Sequence, residues 1–334
     1  MTKAFRGVNL GGWLVLERWI APSLFRGTDA QDEYSLCRAL GSEEASKRLM
    51  QHRETFITEA HIRQIKELGL EVVRVPVGYW LLEDVSPFVE DASEYIDKLF
   101  SWTDEHGLGV ILDFHAAPGS QNGWDHSGRS GRMDWPQADN IAKSLQFVDQ
   151  LTERYGQQPS LIGVEPLNEP HWDVPLNTLV QYYVRADGIV KQNCHTGVKM
   201  IVSDAFRAPD MSKALRKAKL DVTLDVHLYQ LFTPEDRALN LEGHLRKADK
   251  QWRRELKKLA RHHGVVVGEW SAAMSELYNR LGEAQHTYDV AGYRQYSVAQ
   301  QTVFEQSGVS WTYWTARTED GGIWSLLDHP DLLK

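Results

Sequence analysis

Short runs of Val, Ile and Leu recur along the chain and alternate with longer stretches whose apolar positions repeat at helical spacing. The short runs lack a clean period of two, which is typical of strands buried on both faces. Eight runs are predicted as strands: Phe5–Leu10, Val72–Val77, Val110–Phe114, Leu161–Glu165, Lys199–Ser203, Thr223–His227, Val265–Gly268 and Ser310–Trp314.

The amphipathic stretches between these runs predict seven helices. They are Thr58–Leu68, Ala92–Glu105, Ala138–Tyr155, Leu176–Gln192, Met211–Lys217, Leu241–Arg261 and Val290–Gln306. Three of them are followed by Gly69, Gly107 and Gly156, at the place where a helix end favours a left-handed residue. After Trp314 the chain reads as irregular, with a short terminal segment in place of an eighth helix.

Alternating strands and helices of this number predict an α/β fold, with residues 1–334 forming a single (β/α)8 TIM-barrel domain. A doubly wound open sheet is the alternative. Such sheets often carry a Gly-rich phosphate loop after the first strand, and Asn9–Trp13 does not match that pattern. The one long irregular region, Ala117–Gln137, follows the third strand, and loops of this length are commonly functional.

The amino-acid composition limits the kinds of molecule that the protein is expected to bind. The chain has 37 Lys and Arg against 46 Asp and Glu, a net charge of −9. This balance argues against nucleic acid, since phosphate binding needs a basic face. The twelve Trp residues are numerous, and Trp serves both as core filler and as a flat surface for stacking. Cys37 and Cys194 lack disulfide-framework or metal-ligand spacing.

No membrane span is predicted, because no apolar run reaches the ~18 residues that a spanning helix needs. Gly11–Phe25 begins as an apolar stretch but contains Glu17 and Arg18, which a signal peptide would not carry. We therefore expect a cytoplasmic protein, or a secreted one if an export signal has been removed. We also expect a monomer.

Polar side chains stand at the carboxyl ends of most predicted strands, and in a barrel these ends meet at one mouth. A charge that ends a buried strand needs a partner, because burying it alone is costly. We therefore expect these side chains to converge. In chain order they are Arg74, His115, Asn168, Glu169, Asp204, His227, Tyr229, Glu269 and Trp314.

Glu169 and Glu269 follow the fourth and seventh predicted strands, and two prolines stiffen the loop around Glu169. Glycoside hydrolysis uses such a pair: a protonated carboxyl donates to the leaving oxygen while a carboxylate attacks the anomeric carbon. The two groups lie about 5–5.5 Å apart in retaining enzymes. We predict that Glu169 and Glu269 are the catalytic pair of a retaining β-glycosidase. Burial of both in ion pairs with Arg74 is the structural alternative.

Several sequence blocks resemble, in order, the motifs of glycoside hydrolase family five. Asn168–Pro170 resembles its acid/base motif and Gly268–Ser271 its nucleophile motif. Blocks similar to the exo-β-1,3-glucanase branch are Arg6–Glu17, Val73–Trp80, Ala117–Gly123 and His227–Phe232. The resemblance spans most of the chain and implies a barrel enzyme that releases glucose from a β-glucan or β-glucoside. No cofactor or metal is predicted.

The resemblance also implies roles for the other polar groups. Arg74 is expected to hold Glu269 ionised, Tyr229 to donate a hydrogen bond to it, and Asn168 to bind the sugar 2-hydroxyl. Like-charge coupling is expected to keep Glu169 protonated until the covalent intermediate forms. The remaining expected contacts are His115 and His227 around the non-reducing sugar, Glu17 and Asp125 on its hydroxyls, and Trp124 and Phe232 at the entrance.

One stretch departs from the exo-glucanase pattern. That branch tends to read Trp-Ser-Trp-Lys-Thr-Glu, whereas Trp314–Glu319 places Ala316 at the second Trp, which forms the sugar platform. Either Trp314 supplies the platform or the floor is open. An endo-acting β-glucanase, and a glucosidase for small or lipid aglycones, therefore remain alternatives.

Two other classes of protein are alternatives to this interpretation. A metal-dependent barrel hydrolase would take ligands from Asp113, His115, Asp204 and His227, but such enzymes usually carry His-x-His on the first strand. A non-catalytic carbohydrate-binding protein would usually have lost one of the two glutamates, and both are retained here.

Overall fold

The computed structural model describes residues 4–83, 85–89, 92–274 and 289–334. Eight parallel strands close into a barrel in sequential order, with the first strand paired to the eighth. They are β1 Arg6–Asn9, β2 Val72–Gly78, β3 Gly109–Ala116, β4 Leu161–Glu165, β5 Lys199–Ser203, β6 Thr223–Leu228, β7 Gly264–Trp270 and β8 Ser310–Tyr313. The predicted TIM-barrel fold is confirmed, and the open doubly wound sheet is wrong.

Helices surround the barrel. They are α1 Glu33–Phe56, α2 Glu59–Glu67, α3 Ser93–His106, α4 Ala138–Tyr155, α5 Leu176–Asn193, α6 Ala208–Lys217, α7 Pro234–Arg237, α8 Leu241–Lys247, α9 Arg253–Leu259 and α10 Val290–Ser307. Among the described residues after β8, only the short 3-10 segment Pro330–Leu332 is helical, as the irregular pattern there predicts. Within the same described ranges, no helix combines the length and apolarity that crossing a bilayer requires.

The helix α1 has no counterpart in the sequence prediction. Gly41 interrupts it with φ 73° and ψ 166°, so its two halves do not share one apolar stripe. Polar side chains also lie on its buried face, among them Glu33 and Arg53. Both features erase the periodicity by which a helix is recognised.

The predicted helix Leu241–Arg261 is observed as three segments. A π-helical turn, Ala248–Trp252, separates α8 from α9. Such turns insert an extra residue into a helix without breaking it. Ala248 and Trp252 are both buried there, so the turn keeps the chain packed on the barrel.

A β-bulge on β7, opposite β6, changes which residues face each other at the barrel mouth. Val226 pairs with Val267, but His227 pairs with Glu269, so Gly268 is an extra residue on β7. The Gly268 N–H donates to Asp225 Oδ1 at 2.7 Å. A β-carbon at this position would overlap the Asp225 carboxylate, so only glycine fits. The bulge brings His227 beside Glu269.

Candidate active site

Arg74, on β2, lies at the centre of the barrel mouth and is 1% exposed. Its guanidinium contacts Glu165 Oε2 at 2.9 Å, Asp113 Oδ2 at 3.1 Å and Glu269 Oε1 at 3.1 Å, with Asp225 Oδ2 at 3.9 Å. Burial opposes the cation, but these carboxylates outweigh it and raise the pKa of Arg74 well above its ordinary value. The guanidinium therefore stays charged, as Arg does in proteins.

Glu269, at the end of β7, is held by two side chains. Arg74 Nη1 donates to Oε1 at 3.1 Å, and the Tyr229 hydroxyl donates to Oε2 at 3.0 Å. Both contacts are those expected from the sequence. Burial, reinforced by the negative charge of Glu269, raises the pKa of Tyr229 well above its usual range. Tyr229 therefore keeps its proton and remains a donor.

Glu169 follows β4 in a strained backbone conformation, with φ 40°. Side chains other than glycine rarely adopt this region, and it costs of order 1–3 kcal/mol, so its surroundings must hold it there. Asn122 Nδ2 donates to the Glu169 carbonyl at 3.0 Å. One carboxylate oxygen of Glu169 lies within 4.8 Å of one from Glu269. The two predicted catalytic groups therefore converge.

Two imidazoles flank the Glu169 carboxylate. His227 Nδ1 lies 2.6 Å from Oε1, and His126 Nε2 lies 3.2 Å from Oε2. Burial favours the protonated acid, but these imidazoles outweigh it and lower the pKa of Glu169 well below its ordinary value. With these neighbours Glu169 is thus ionised. The expectation that like-charge coupling keeps Glu169 protonated is wrong, because the two imidazoles lower its pKa instead.

Asn168 and His115 form one wall of the mouth. Arg74 Nη2 donates to Asn168 Oδ1 at 2.8 Å, which orients the amide nitrogen Nδ2 away from the guanidinium. His115 Nδ1 lies 2.6 Å from Asp113 Oδ2, so we assign its ring proton to that nitrogen. Burial lowers the pKa of His115, although Asp113 opposes the shift. The ring is therefore neutral.

Trp314 stacks on this wall. Its ring lies parallel to that of His115, with centroids 5.5 Å apart and planes 10° apart. Ala316 is fully buried, and its N–H donates to the Asn9 carbonyl at 2.9 Å. Trp314 therefore stands beside the site while Ala316 is packed in the core.

Glu17, in the segment after β1, lies close enough to this site to interact electrostatically with His126, Asp125 and Glu269. Trp19 Nε1 donates to Glu17 Oε2 at 2.8 Å. Burial raises the pKa of Glu17 to about 8; His126 opposes the rise, and Asp125 and Glu269 add to it. Glu17 is consequently protonated at neutral pH, so its carboxyl has both a donor and an acceptor for sugar hydroxyls.

Aromatic side chains line the rim. Trp124 contacts Phe206 and Trp172, at ring-centroid distances of 5.7 and 6.0 Å. Phe232, 53% exposed, packs edge-on against Tyr229 at 5.2 Å. Trp124 and Phe232 belong to different loops, the first after β3 and the second after β6.

Several residues of the site are absent from the predicted glycosidase site, although Asp113 is among the ligands considered for the metal-dependent alternative. Asp113, Glu165 and Asp225 lie inside apolar strands, and a charge buried in a strand is itself a signal that it has a partner. His126, Trp172 and Phe206 lie in loops instead. Loops have no periodicity from which the direction of a side chain can be predicted, so only the structure places these residues at the rim.

The metal-hydrolase alternative fits the geometry poorly. Glu165, Asp225 and His227 lie close enough together to hold an ion, but Arg74 already contacts the first two. Asp204, another proposed ligand, accepts the Phe206 N–H through Oδ1 at 2.8 Å. Four carboxylates at this mouth thus have the Arg74 guanidinium as their cation: Asp113, Glu165, Asp225 and Glu269.

Comparison with known proteins agrees with this geometry. Residues 37–320 match the sequence model for cellulase (glycosyl hydrolase family 5). Glucan 1,3-beta-glucosidases from Blumeria graminis and Lachancea kluyveri are 34% and 33% identical, over 96% and 97% of this chain and 83% and 84% of theirs. Rutinosidase from Aspergillus niger shares the fold, with a TM-score of 0.83 at 22% identity over 99% of this chain and 98% of its own. The chain therefore belongs to glycosyl hydrolase family 5 and is a glycoside hydrolase.

Proposed function

We propose that the protein is an exo-acting β-1,3-glucanase that releases glucose with retention of anomeric configuration. One observation carries the mechanism: an oxygen of Glu169 and an oxygen of Glu269 lie within 4.8 Å of each other. Retaining glycosidases place the two carboxyls about 5–5.5 Å apart, whereas inverting enzymes need about 6.5–9.5 Å to admit a water. The short separation favours direct attack by a carboxylate.

In the first step Glu269 attacks the anomeric carbon and forms a glucosyl ester, while Glu169 protonates the departing oxygen. Arg74 and Tyr229 hold the two oxygens of Glu269, which fixes the direction of attack. Asn168, whose amide is oriented by Arg74, is placed to bind the sugar 2-hydroxyl, a contact that strengthens in the transition state.

In the second step Glu169 takes a proton from water, and the resulting hydroxide attacks the ester. β-Glucose leaves, and Glu269 is regenerated as a carboxylate. All of the groups named here come from one chain, so each chain holds a complete site, and we propose that it acts as a monomer.

Three features support exo action on a β-1,3-glucan. Glu17 and Asp125 interact electrostatically beside the site, where they could bind the hydroxyls of a terminal sugar. Trp314, parallel to His115, supplies an aromatic face for that sugar. The relatives named glucan 1,3-beta-glucosidase point to the linkage.

A time course on laminarin tests the proposal. We expect glucose as the only early product, released first as the β-anomer, because an exo-acting enzyme removes one sugar at a time from a chain end. An early ladder of oligosaccharides would instead show endo action, and release of α-glucose would contradict retention.

Two variants test the catalytic assignment. Glu269→Gln should lose at least about 10⁴-fold in kcat, because the nucleophile is removed. Glu169→Ala should form a β-glucosyl azide when azide is added with an activated aryl glucoside. Activity of Glu269→Gln within tenfold of the unsubstituted enzyme, or no azide product, would overturn the assignment.

A further inference from the structure

The Glu169 carboxylate is held by an imidazole on each oxygen. His227, on β6, lies 2.6 Å from Oε1. His126, in the turn Asp125–Ser127 after β3, lies 3.2 Å from Oε2. The roles assigned above use His227 near the sugar but give His126 no part in the reaction.

The surroundings of His126 are acidic. Glu17 comes from the segment after β1, Asp125 from its own turn and Glu169 from the loop after β4. The other titratable neighbour, His115 of β3, lies at a ring-centroid distance of 5.0 Å and is neutral. Burial opposes a charge on the ring, but the three carboxyl groups outweigh it and raise the pKa of His126 to about 9.

The two imidazoles differ in how firmly they hold their protons. His227 is in contact with three carboxylates: Asp225 through Nε2 at 3.2 Å, and Glu169 and Glu269 through Nδ1. His126 has one, because its Nδ1 is buried without a hydrogen-bond partner among the described residues. The His126 proton on Nε2 is therefore the one released more easily toward Glu169.

Glu169 needs a proton for the first step, yet its two imidazole neighbours hold it as a carboxylate. We propose that His126 is a positioning residue that stores the proton which Glu169 delivers to the leaving oxygen. This inference rests on the proposed glycosidase function. It assigns the source of the proton and leaves the nucleophile and the acid/base unchanged.

The steps balance. The Nε2 proton moves from His126 to Glu169 Oε2, which leaves a neutral imidazole and a carboxylic acid. Glu169 gives this proton to the glycosidic oxygen as the bond to the anomeric carbon breaks and the bond to Glu269 forms. When water cleaves the ester, Glu169 takes its proton and returns one to His126, which restores the starting state.

The direction in which the alkaline limb of kcat/KM shifts on removing His126 distinguishes two roles for this residue. His126 either stores the proton for Glu169 or only stabilises the Glu169 carboxylate by its charge. If His126 only stabilised the Glu169 carboxylate, removing it would raise the pKa of that acid and move the alkaline limb of kcat/KM to higher pH. If His126 supplies the proton, removing it moves the alkaline limb to lower pH. The two roles therefore predict opposite signs.

The test compares His126→Asn, which keeps an N–H donor, with the unsubstituted enzyme on two substrates. We expect the alkaline limb to fall by about one pH unit. We also expect kcat/KM on laminaribiose to fall at least about tenfold, since general acid catalysis contributes about 10²–10⁴-fold. A 2,4-dinitrophenyl β-glucoside, whose leaving group needs no proton, should lose less than about threefold.

The matched control is His106→Asn, since His106 Nε2 pairs with Glu59 Oε1 at 3.4 Å outside the barrel mouth. It should keep the unsubstituted pH profile. His126→Gln provides a second variant if His126→Asn does not fold. An unchanged or upward-shifted alkaline limb, or equal losses on both substrates, would overturn the role of His126. Failure of the unsubstituted enzyme to cleave either substrate would instead overturn the proposed function.

Discussion

At the scale of single residues, the geometry of Arg74 determines how charge is arranged at the mouth. Its planar group reaches Glu269 through one nitrogen, and Asn168 and Glu165 through another. A lysine offers one compact charge and has no such fork. The orientation of the nucleophile and that of the amide beside it are therefore linked through one side chain.

Tyr229→Phe tests the second hydrogen bond on Glu269. The substitution removes the donor 3.0 Å from Oε2 and leaves the ring in place. A hydrogen bond to a charged group contributes about 1.5–3 kcal/mol, so we expect kcat to fall roughly 10- to 100-fold with little change in Tm. Tyr183→Phe is the matched control, because that hydroxyl is buried without a hydrogen-bond partner in the described part of the chain. Equal effects of the two substitutions would contradict the role of Tyr229.

Residues of this site differ in how far the sequence predicts them. Glu169 and Glu269 end or follow apolar strands, and the barrel pattern then dictates that they meet. The neighbour of a side chain is harder to infer, because it depends on loop conformation. His126 illustrates this: its contact with Glu169 reverses the protonation state expected from the carboxylates alone.

At the scale of elements, the β6–β7 bulge positions two side chains of the active site next to each other. The extra residue Gly268 lets His227 and Glu269 lie opposite each other. Its carbonyl also accepts from Asn9 Nδ2 at 2.8 Å and from Thr312 Oγ1 at 2.5 Å. One glycine thus joins β7 to β1 and β8 while leaving space for the carboxylate of β6.

Gly268→Ala should damage both stability and activity. The added methyl overlaps Asp225, and overpacking of this kind costs about 1–3 kcal/mol. Gly188→Ala, on the exposed side of α5, is the opposite case, because no atom lies within 4 Å of the new methyl. It should stabilise by about 0.5–1 kcal/mol. Urea unfolding and kcat measured on both variants check this; wild-type-like values for Gly268→Ala would show that the bulge tolerates a side chain.

Element prediction succeeds where one physical rule dominates. The strands are apolar because they are buried on both faces, so all eight are evident in the sequence. The helix α1 combines a break at Gly41 with buried polar groups, and these remove the regular stripe. In place of a regular apolar stripe, α1 is held by specific polar contacts, such as the hydrogen bond from the Leu16 N–H to Glu33 Oε2 at 3.0 Å.

At the scale of the whole molecule, buried carboxyl groups with raised pKa values link stability to pH. Glu33, fully buried at the start of α1, is one of them. Burial raises its pKa from 4.5 to about 7, although Arg53 opposes the shift. Between these two values the folded protein keeps a proton that the unfolded chain releases. The free energy of unfolding therefore falls as pH rises through this window.

Glu33→Gln should flatten that dependence. From pH 5 to pH 8 the free energy of unfolding should decrease in both proteins. The decrease should be about 1–3 kcal/mol smaller in Glu33→Gln, because one titrating group has been removed. Denaturant unfolding at both pH values measures the difference. Glu43→Gln, exposed on the same helix, should leave the slope unchanged. A slope for Glu33→Gln equal to that of the unsubstituted protein would show that Glu33 is ionised throughout.

The contacts of Arg74 also constrain how the molecule is assembled. Divided between β4 and β5, the chain gives two half-barrels. The first holds Arg74 with Asp113 and Glu165, and the second holds Asp225 and Glu269. Glu169, in the first half, lacks its partner His227, and Glu269, in the second half, lacks its partner Arg74, so each catalytic carboxylate needs a side chain from the other half. Catalytic activity therefore requires that both halves have joined correctly, so an activity measurement also reports whether the barrel has closed.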